Sequence, residues 1–228
     1  MFWYDYYYLI LVVPAILIAL LAEINVKRTY AKMAKINNGK HLSGAQAAAK
    51  VLEYYGIYDV RIEPVSGKLS DHYDPRSNVI RLSHEVYSGT SIASVGIACH
   101  EAGHAAQHAQ NYAPIKVRNA ILPVANIGST VGFYLAIFGY FIGFGPLIDI
   151  GIILFASVTV FQLVTLPIEF NASRRAISVI DETGMLDVDE VPKAKKVLFA
   201  AALTYVASLL VSIMSLLRLI LRTRNRRN

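Results

Sequence analysis

Cysteine and charge are what this 228-residue chain has least of: one cysteine, and charged residues at only 17% of positions. Cys99 alone can form no intrachain disulfide, and a structural zinc site, which closes with four ligands that usually include Cys, is disfavoured as well. A lone thiol also fits a reducing compartment. Acidic residues number 16 against 22 Lys and Arg, leaving a formal charge of +6. No base-stacking or phosphate-cradling motif accompanies that charge, and it gathers beside apolar segments. Anionic lipid, not nucleic acid, is therefore the expected partner. Within the apolar segments Asp149 and Gln162 are the candidates for a transporter or channel pathway, too few to line one. The first apolar run also lacks the marks of a cleaved signal peptide: Asp5 precedes it and Glu23-Ile24-Asn25 follows, with no small-x-small site.

What the chain has instead is apolar surface. Hydrophobic residues make up 55% of it and the mean hydropathy is +0.43, too high for an ordinary soluble fold. Tyr6 to Ala22 is a run of 17 uncharged residues, which as a helix extends about 25 Å and just spans a bilayer. Trp3, Tyr4 and Tyr6 to Tyr8 form its aromatic belt. Ile121 to Phe144 and Leu147 to Leu166 stand back to back around Gly143-Phe144-Gly145-Pro146, the pattern of a membrane hairpin. A fourth run, Val197 to Leu217, either spans or lies along the surface. Lys27, Arg28, Lys32, Lys35 and Lys40 follow the first run and place the segment up to the hairpin in the cytoplasm. If the fourth run spans, its tail of Arg218, Arg222, Arg224, Arg226 and Arg227 emerges on the other side, against the same rule.

Between the first anchor and the hairpin the pattern changes. Ser43 with Gln46 three residues on has capping-box spacing and opens a helix that runs to Tyr55 and stops at Gly56. Val60 to Glu63 and Asn78 to Leu82 alternate as short strands, with a turn-rich loop over 66–75 between them. Ile92, Val95, Ala98, Cys99, Ala102, Ala105 and Ala106 recur at helical spacing, so Ser91 to about Gln110 is a helix. Small residues at Gly96, Ala98, Ala102 and Gly103 let other helices approach it closely.

That helix carries His100-Glu101-Ala102-Gly103-His104. Two imidazoles four residues apart share one helix face and can grip one metal ion, with the intervening glutamate as base. Composition alone predicts on the order of 0.005 copies of this pattern in such a chain. A catalytic zinc needs a third protein ligand and one open position. His108 lies about 12 Å along the helix from His100, too far for one ion, and Gln107 and Gln110 do not fit the metzincin spacing. His108 therefore reads as a polar continuation of the helix face, and His41 and His84 as surface residues. Glu169 is the stronger candidate. It follows Pro167, which can open a new helix, at the end of a hairpin that returns the chain to the side where His100 and His104 lie.

Several blocks together resemble one family, the YugP-type membrane metallopeptidases known as neutral zinc metallopeptidases. They are Ser70-Asp71-His72-Tyr73-Asp74-Pro75, Val95 through His104, Ala106-Gln107-His108-Ala109-Gln110, and Leu163 through Ala176. The layout is also similar to the wider HtpX and CAAX prenyl protease group of gluzincin-like enzymes, in which a hairpin separates H-E-x-x-H from a metal-binding glutamate. Glu169 aligns with that glutamate. Ser173 stands where the wider group has an Asp able to orient a histidine, so Ser173 or Asn171 is the candidate for that role.

The resemblance implies a mainly α, multi-pass protein of the bacterial cell membrane, with about four apolar helices and a small zincin-like α+β catalytic unit facing the cytoplasm. The expected division is an anchor over 1–26, a zincin-like segment over 27–118, a hairpin over 119–166, a third-ligand helix over 167–192 and an apolar helix with basic tail over 193–228. Its expected chemistry is hydrolysis of peptide bonds in membrane-associated or misfolded proteins. Zn²⁺ is held by His100, His104 and Glu169, and Glu101 is the general base. Strand 78–82 would offer an edge to an extended substrate. His72, Tyr73, Arg174 and Arg175 are candidates for stabilising the oxyanion. The rival reading is a polypeptide-binding membrane scaffold or chaperone-like protein with a non-catalytic zinc. A membrane-protein partner or a second copy of the chain stays open.

Overall fold

A computed structural model describes residues 5–224, so Trp3, Tyr4, Arg226 and Arg227 lie outside the described residues. The protein is mostly helical with one three-stranded sheet, and it divides into two compact units. Among the described residues, four helical stretches are long and apolar enough to cross a membrane: Tyr8–Met33, Ala113–Ile142, Gly145–Glu182 and Val191–Thr223.

The first unit draws on the chain up to Glu23, on Lys116–Pro167 and on the chain from Leu203. It holds most of helix α1 (Val13–Met33, entered through a π-turn at Tyr8–Val12) and nearly all of α5 (Ala113–Ile127) and α6 (Phe133–Ile142). It also holds the first part of α7 (Gly145–Glu182) and the second part of α8 (Val191–Arg224). A π-turn, Gly128–Gly132, joins α5 to α6. Gly143, left-handed at φ 74°, closes α6 before α7 begins, as the hairpin pattern requires. The two arms meet through glycine. A Cβ at Gly128 would collide with the Leu154 carbonyl oxygen, and one at Gly132 would stand 2.7 Å from the Phe155 nitrogen. Backbones this close gain packing that lipid cannot supply. At one end of the unit Asp5 accepts from Arg218 at 2.9 Å and Arg222 at 2.8 Å. There Arg218 also lies over Tyr8 and Arg222 over Tyr140. The fourth apolar run is thus part of one continuous helix whose last turns meet the first described residue and the close of α6.

The second unit comprises Ile24–Ile115 and Ile168–Ala202. Ser43 and Gln46 form the capping box of α2 (Gly44–Tyr54). Strands β1 (Arg61–Val65), β2 (His72–Asp74) and β3 (Val79–Ser83) lie in the order β1-β3-β2, with β1 parallel and β2 antiparallel to β3. A four-residue turn of helix, α3 (His84–Tyr87), leads to α4 (Ile92–Ala109), capped by Ser91. Ile92, Val95, Ala98, Cys99, Ala102 and Ala106 of α4 are fully buried against Ala47, Ala48 and Val51 of α2 and Ile80 and Leu82 of β3. Burying each Val, Leu or Ile side chain contributes about 1.5–3 kcal/mol, so α4 is the axis of this core.

Three sequence expectations need correction. The 66–75 loop contains β2, which its turn residues concealed because only three residues pair. Strand β3 is central and offers no edge, since β1 and β2 take both sides. Pro167 opens no new helix: α7 runs through it. A proline costs such a helix one backbone bond, a loss that apolar helices with neighbouring hydroxyls tolerate, and Thr165 bonds back to the Phe161 carbonyl at 2.8 Å.

Candidate metal centre

Helix α4 sets His100 and His104 one turn apart on one face, their rings 4.7 Å apart and nearly perpendicular. Helix α7 brings Glu169 opposite them. Gly103 makes that approach possible, since a Cβ there would sit 2.7 Å from the Ala172 carbonyl oxygen of α7. Glu169 Oε2 stands 3.4 Å from His100 Nε2 and 3.6 Å from His104 Nε2. One donor atom from each residue lies within 4.8 Å of the others, so the three could hold a metal ion.

The far side of each imidazole is also engaged. Ser173 Oγ meets His100 Nδ1 at 3.1 Å, and Gln107 Oε1 meets His104 Nδ1 at 3.0 Å. The Gln107 amide donates to the Ile168 carbonyl at 2.8 Å and to Asn171 Oδ1 at 2.9 Å, which orients its oxygen towards His104. Asn171 Oδ1 accepts in turn from Arg175, which reaches on to Gln110 at 2.6 Å. With each Nδ1 occupied, both Nε2 atoms are left facing Glu169. Glu169 is 5% exposed, and its Oε2 is buried with no hydrogen-bond partner among the described residues. A buried carboxylate oxygen without a donor is costly, and a divalent cation among the three ligand atoms removes that cost. The donor set therefore fits zinc. Burial alone would lower the pKa of His104, but the facing Glu169 and Glu101 carboxylates outweigh it and the net shift is upward.

Glu101 is half-buried, and its Oε2 accepts from the Tyr73 backbone N–H of β2 at 3.0 Å. The Tyr73 hydroxyl turns elsewhere, donating to Asn78 at 2.8 Å and lying 3.3 Å from His108 Nδ1. His108 is accordingly outside the three-residue donor group. His72 is exposed, with Nδ1 at 2.8 Å from the Ser70 carbonyl. Arg174 is exposed and lines a groove between α7 and α8. Ser173 thus lies beside a histidine, whereas Asn171 reaches the site only through Gln107. Gln107 itself was missed in the sequence, although its position three residues after His104 puts it on the neighbouring helix surface.

Two histidines and a carboxylate that could share one ion, with a glutamate between the histidines, match the residues of a hydrolytic zinc centre. The chain belongs to the neutral zinc metallopeptidase family, whose pattern, described as "Putative neutral zinc metallopeptidase", matches residues 8–224. It is 44% identical over 214 residues to the "Putative membrane protease YugP" of Bacillus subtilis (strain 168), covering 94% of this chain and 95% of that protein. No solved structure matches it.

Proposed function

We propose that the protein is a membrane-embedded zinc metalloendopeptidase of the gluzincin type, cleaving membrane-associated or misfolded polypeptides at the cytoplasmic face. The observation that carries this is the convergence of His100 Nε2, His104 Nε2 and the partnerless Glu169 Oε2, with Glu101 beside them. Bound zinc would supply Lewis acidity and lower the pKa of a water to about 7. Glu101, steadied through Oε2 by the Tyr73 N–H, takes a proton from the attacking water and returns it to the leaving amine nitrogen. Ser173 and Gln107 hold the two imidazoles in register. An extended substrate adds beside β2, the edge strand whose Tyr73 N–H faces Glu101. His72, on β2, is the candidate for stabilising the oxyanion, since Arg174 faces the groove between α7 and α8.

Charge supports the cytoplasmic assignment even with the fourth run spanning. Twelve basic residues flank the ends of the apolar runs that lead to the histidines and Glu169, against five in the terminal tail. Asp5 neutralises part of that tail by pairing with Arg218 and Arg222.

The test is zinc content and casein cleavage by detergent-purified wild type, Glu101→Gln and Glu169→Ala. Glu101→Gln should keep its zinc and lose about 10²–10⁴-fold in rate, whereas Glu169→Ala should lose zinc as well. Equal zinc in all three with no cleavage by any would sink the peptidase and favour a polypeptide-binding scaffold.

A further inference from the structure

The groove beside the metal centre has an amphiphile's polarity. It encloses about 380 Å³ between α7 and α8, within the about 300–1,000 Å³ of small-molecule sites. Phe170, Ile177, Leu198, Phe199 and Ala202 supply its apolar lining, and Arg174 and Lys195 are its two cations. The order along the helices gives it direction. On α7 the chain leaves the apolar run at Leu166, passes Phe170 and reaches Arg174 one turn later. On α8 it passes Lys195, then Phe199 and Ala202, as the fourth apolar run begins. Both cations thus lie on the side away from the apolar runs, and the aromatic walls lie on the side towards them, each separation being about 6 Å of helix rise.

Neither cation is spoken for: Arg174 and Lys195 are exposed and have no partner among the described residues. The nearby acid is engaged, since Glu182 accepts from Ser178 and Tyr54 at 2.5 Å each. The walls are uncovered too, with Phe199 56% and Phe170 36% exposed.

We propose that this groove binds an anionic phospholipid, its phosphate between Arg174 and Lys195 and one acyl chain against Phe170 and Phe199. The two cations complement the phosphate, and the apolar walls lead the chain towards the bilayer. Ser173 forms part of the same wall and meets His100, so the lipid lies one side chain from a metal-facing imidazole.

The test needs no peptidase activity. Trp3→Phe/Phe199→Trp protein, full length, is placed in phosphatidylcholine bilayers containing either brominated phosphatidylglycerol or brominated phosphatidylcholine. Tryptophan quenching should favour phosphatidylglycerol by ~10–30-fold in apparent affinity, falling ~5-fold with each of Arg174→Gln and Lys195→Gln. Equal quenching by both lipids would make the groove ordinary lipid-facing surface, and a preference that survives the double substitution would put the headgroup elsewhere. Either result overturns the proposal, as does absence of quenching, which would mean a groove filled by polypeptide. Should the tryptophan variant fail to fold, mass spectrometry of phosphatidylglycerol retained by otherwise unaltered protein, with and without Arg174→Gln/Lys195→Gln, decides the same question: equal retention defeats the site.

Discussion

The two units are built from the same apolar residue types and hide them in opposite ways. In the second unit Ile80, Leu82, Ile92 and Val95 are wholly buried, and the core is a conventional aliphatic one. In the first, Leu21, Phe141 and Ile153 are 66–70% exposed, and the hairpin arms approach each other closely at Gly128, Gly132 and Gly151. Water drives large side chains inwards, whereas lipid tails are as apolar as leucine and exert no such drive, so helices there gain from close packing and interhelical polar contacts instead. The difference extends to polar groups. The second unit runs a hydrogen-bonded chain from His104 through Gln107 and Asn171 to Arg175. In the first, Thr159 of α7 and Ser212 of α8 pair their hydroxyls at 2.8 Å.

The largest contrast is expected at two glycines that bring helices together. Gly103→Ala pushes α7 away from α4 and with it Glu169, so zinc affinity should fall by about 100-fold in chelator competition. Gly128→Ala presses on the Leu154 carbonyl and should cost about 1–3 kcal/mol of stability in detergent. The zinc affinity of the folded Gly128→Ala protein should be unchanged. If it drops as far as in Gly103→Ala, the two units are not energetically separable and the comparison breaks.

Gln107→Leu comes next. It keeps side-chain size but leaves His104 Nδ1, the Ile168 carbonyl and Asn171 without their shared partner. Zinc affinity should fall about 10–100-fold, or about 1.4–2.7 kcal/mol. The thermal stability of the metal-free protein distinguishes orientation of the ligand from plain packing: a loss of stability with zinc affinity intact would give Gln107 a structural role only.

Legibility in the sequence followed how local each signal was. The capping box at Ser43 and Gln46, the α4 periodicity and the apolar runs are each written within one stretch of chain, and the structure has them. The meeting of Glu169 with the histidines was legible because a hairpin dictates which side the chain returns to. The misses were non-local. The three pairs that make β2 a strand are supplied by β3, not by its own composition. Whether β3 is central depends on β1 and β2 together. Pro167 reads as a helix start in water but is tolerated inside a helix that emerges from lipid. Gln107 looked like one more polar residue until Ile168 and Asn171, 61 and 64 positions away, were placed against it.

Ser173→Ala should cost less than Gln107→Leu, about 3–10-fold in zinc affinity, because it removes a single hydroxyl contact to His100. Ser173→Asp should reverse the loss, a carboxylate being the stronger partner for an imidazole N–H. Chelator competition on the three proteins separates them. An Ala variant that binds zinc like wild type would remove Ser173 from the orientation of His100.

The smallest effect is expected at Thr159, where lipid would suggest the opposite. An interhelical hydroxyl bond away from water has no solvent to replace it, which argues for a large cost when it is removed. Yet a serine or threonine on a helix can turn back to its own backbone carbonyl, as Thr165 does to Phe161, so the abandoned Ser212 keeps an acceptor. Thr159→Val, which preserves shape, should therefore cost only about 0.6 kcal/mol of stability, with zinc content unchanged. A loss above about 2 kcal/mol would mean that this pair, and not the glycine contacts, holds the first unit together. The two units would then share one organising device, a buried polar link between helices, and the contrast drawn from their glycines would fall.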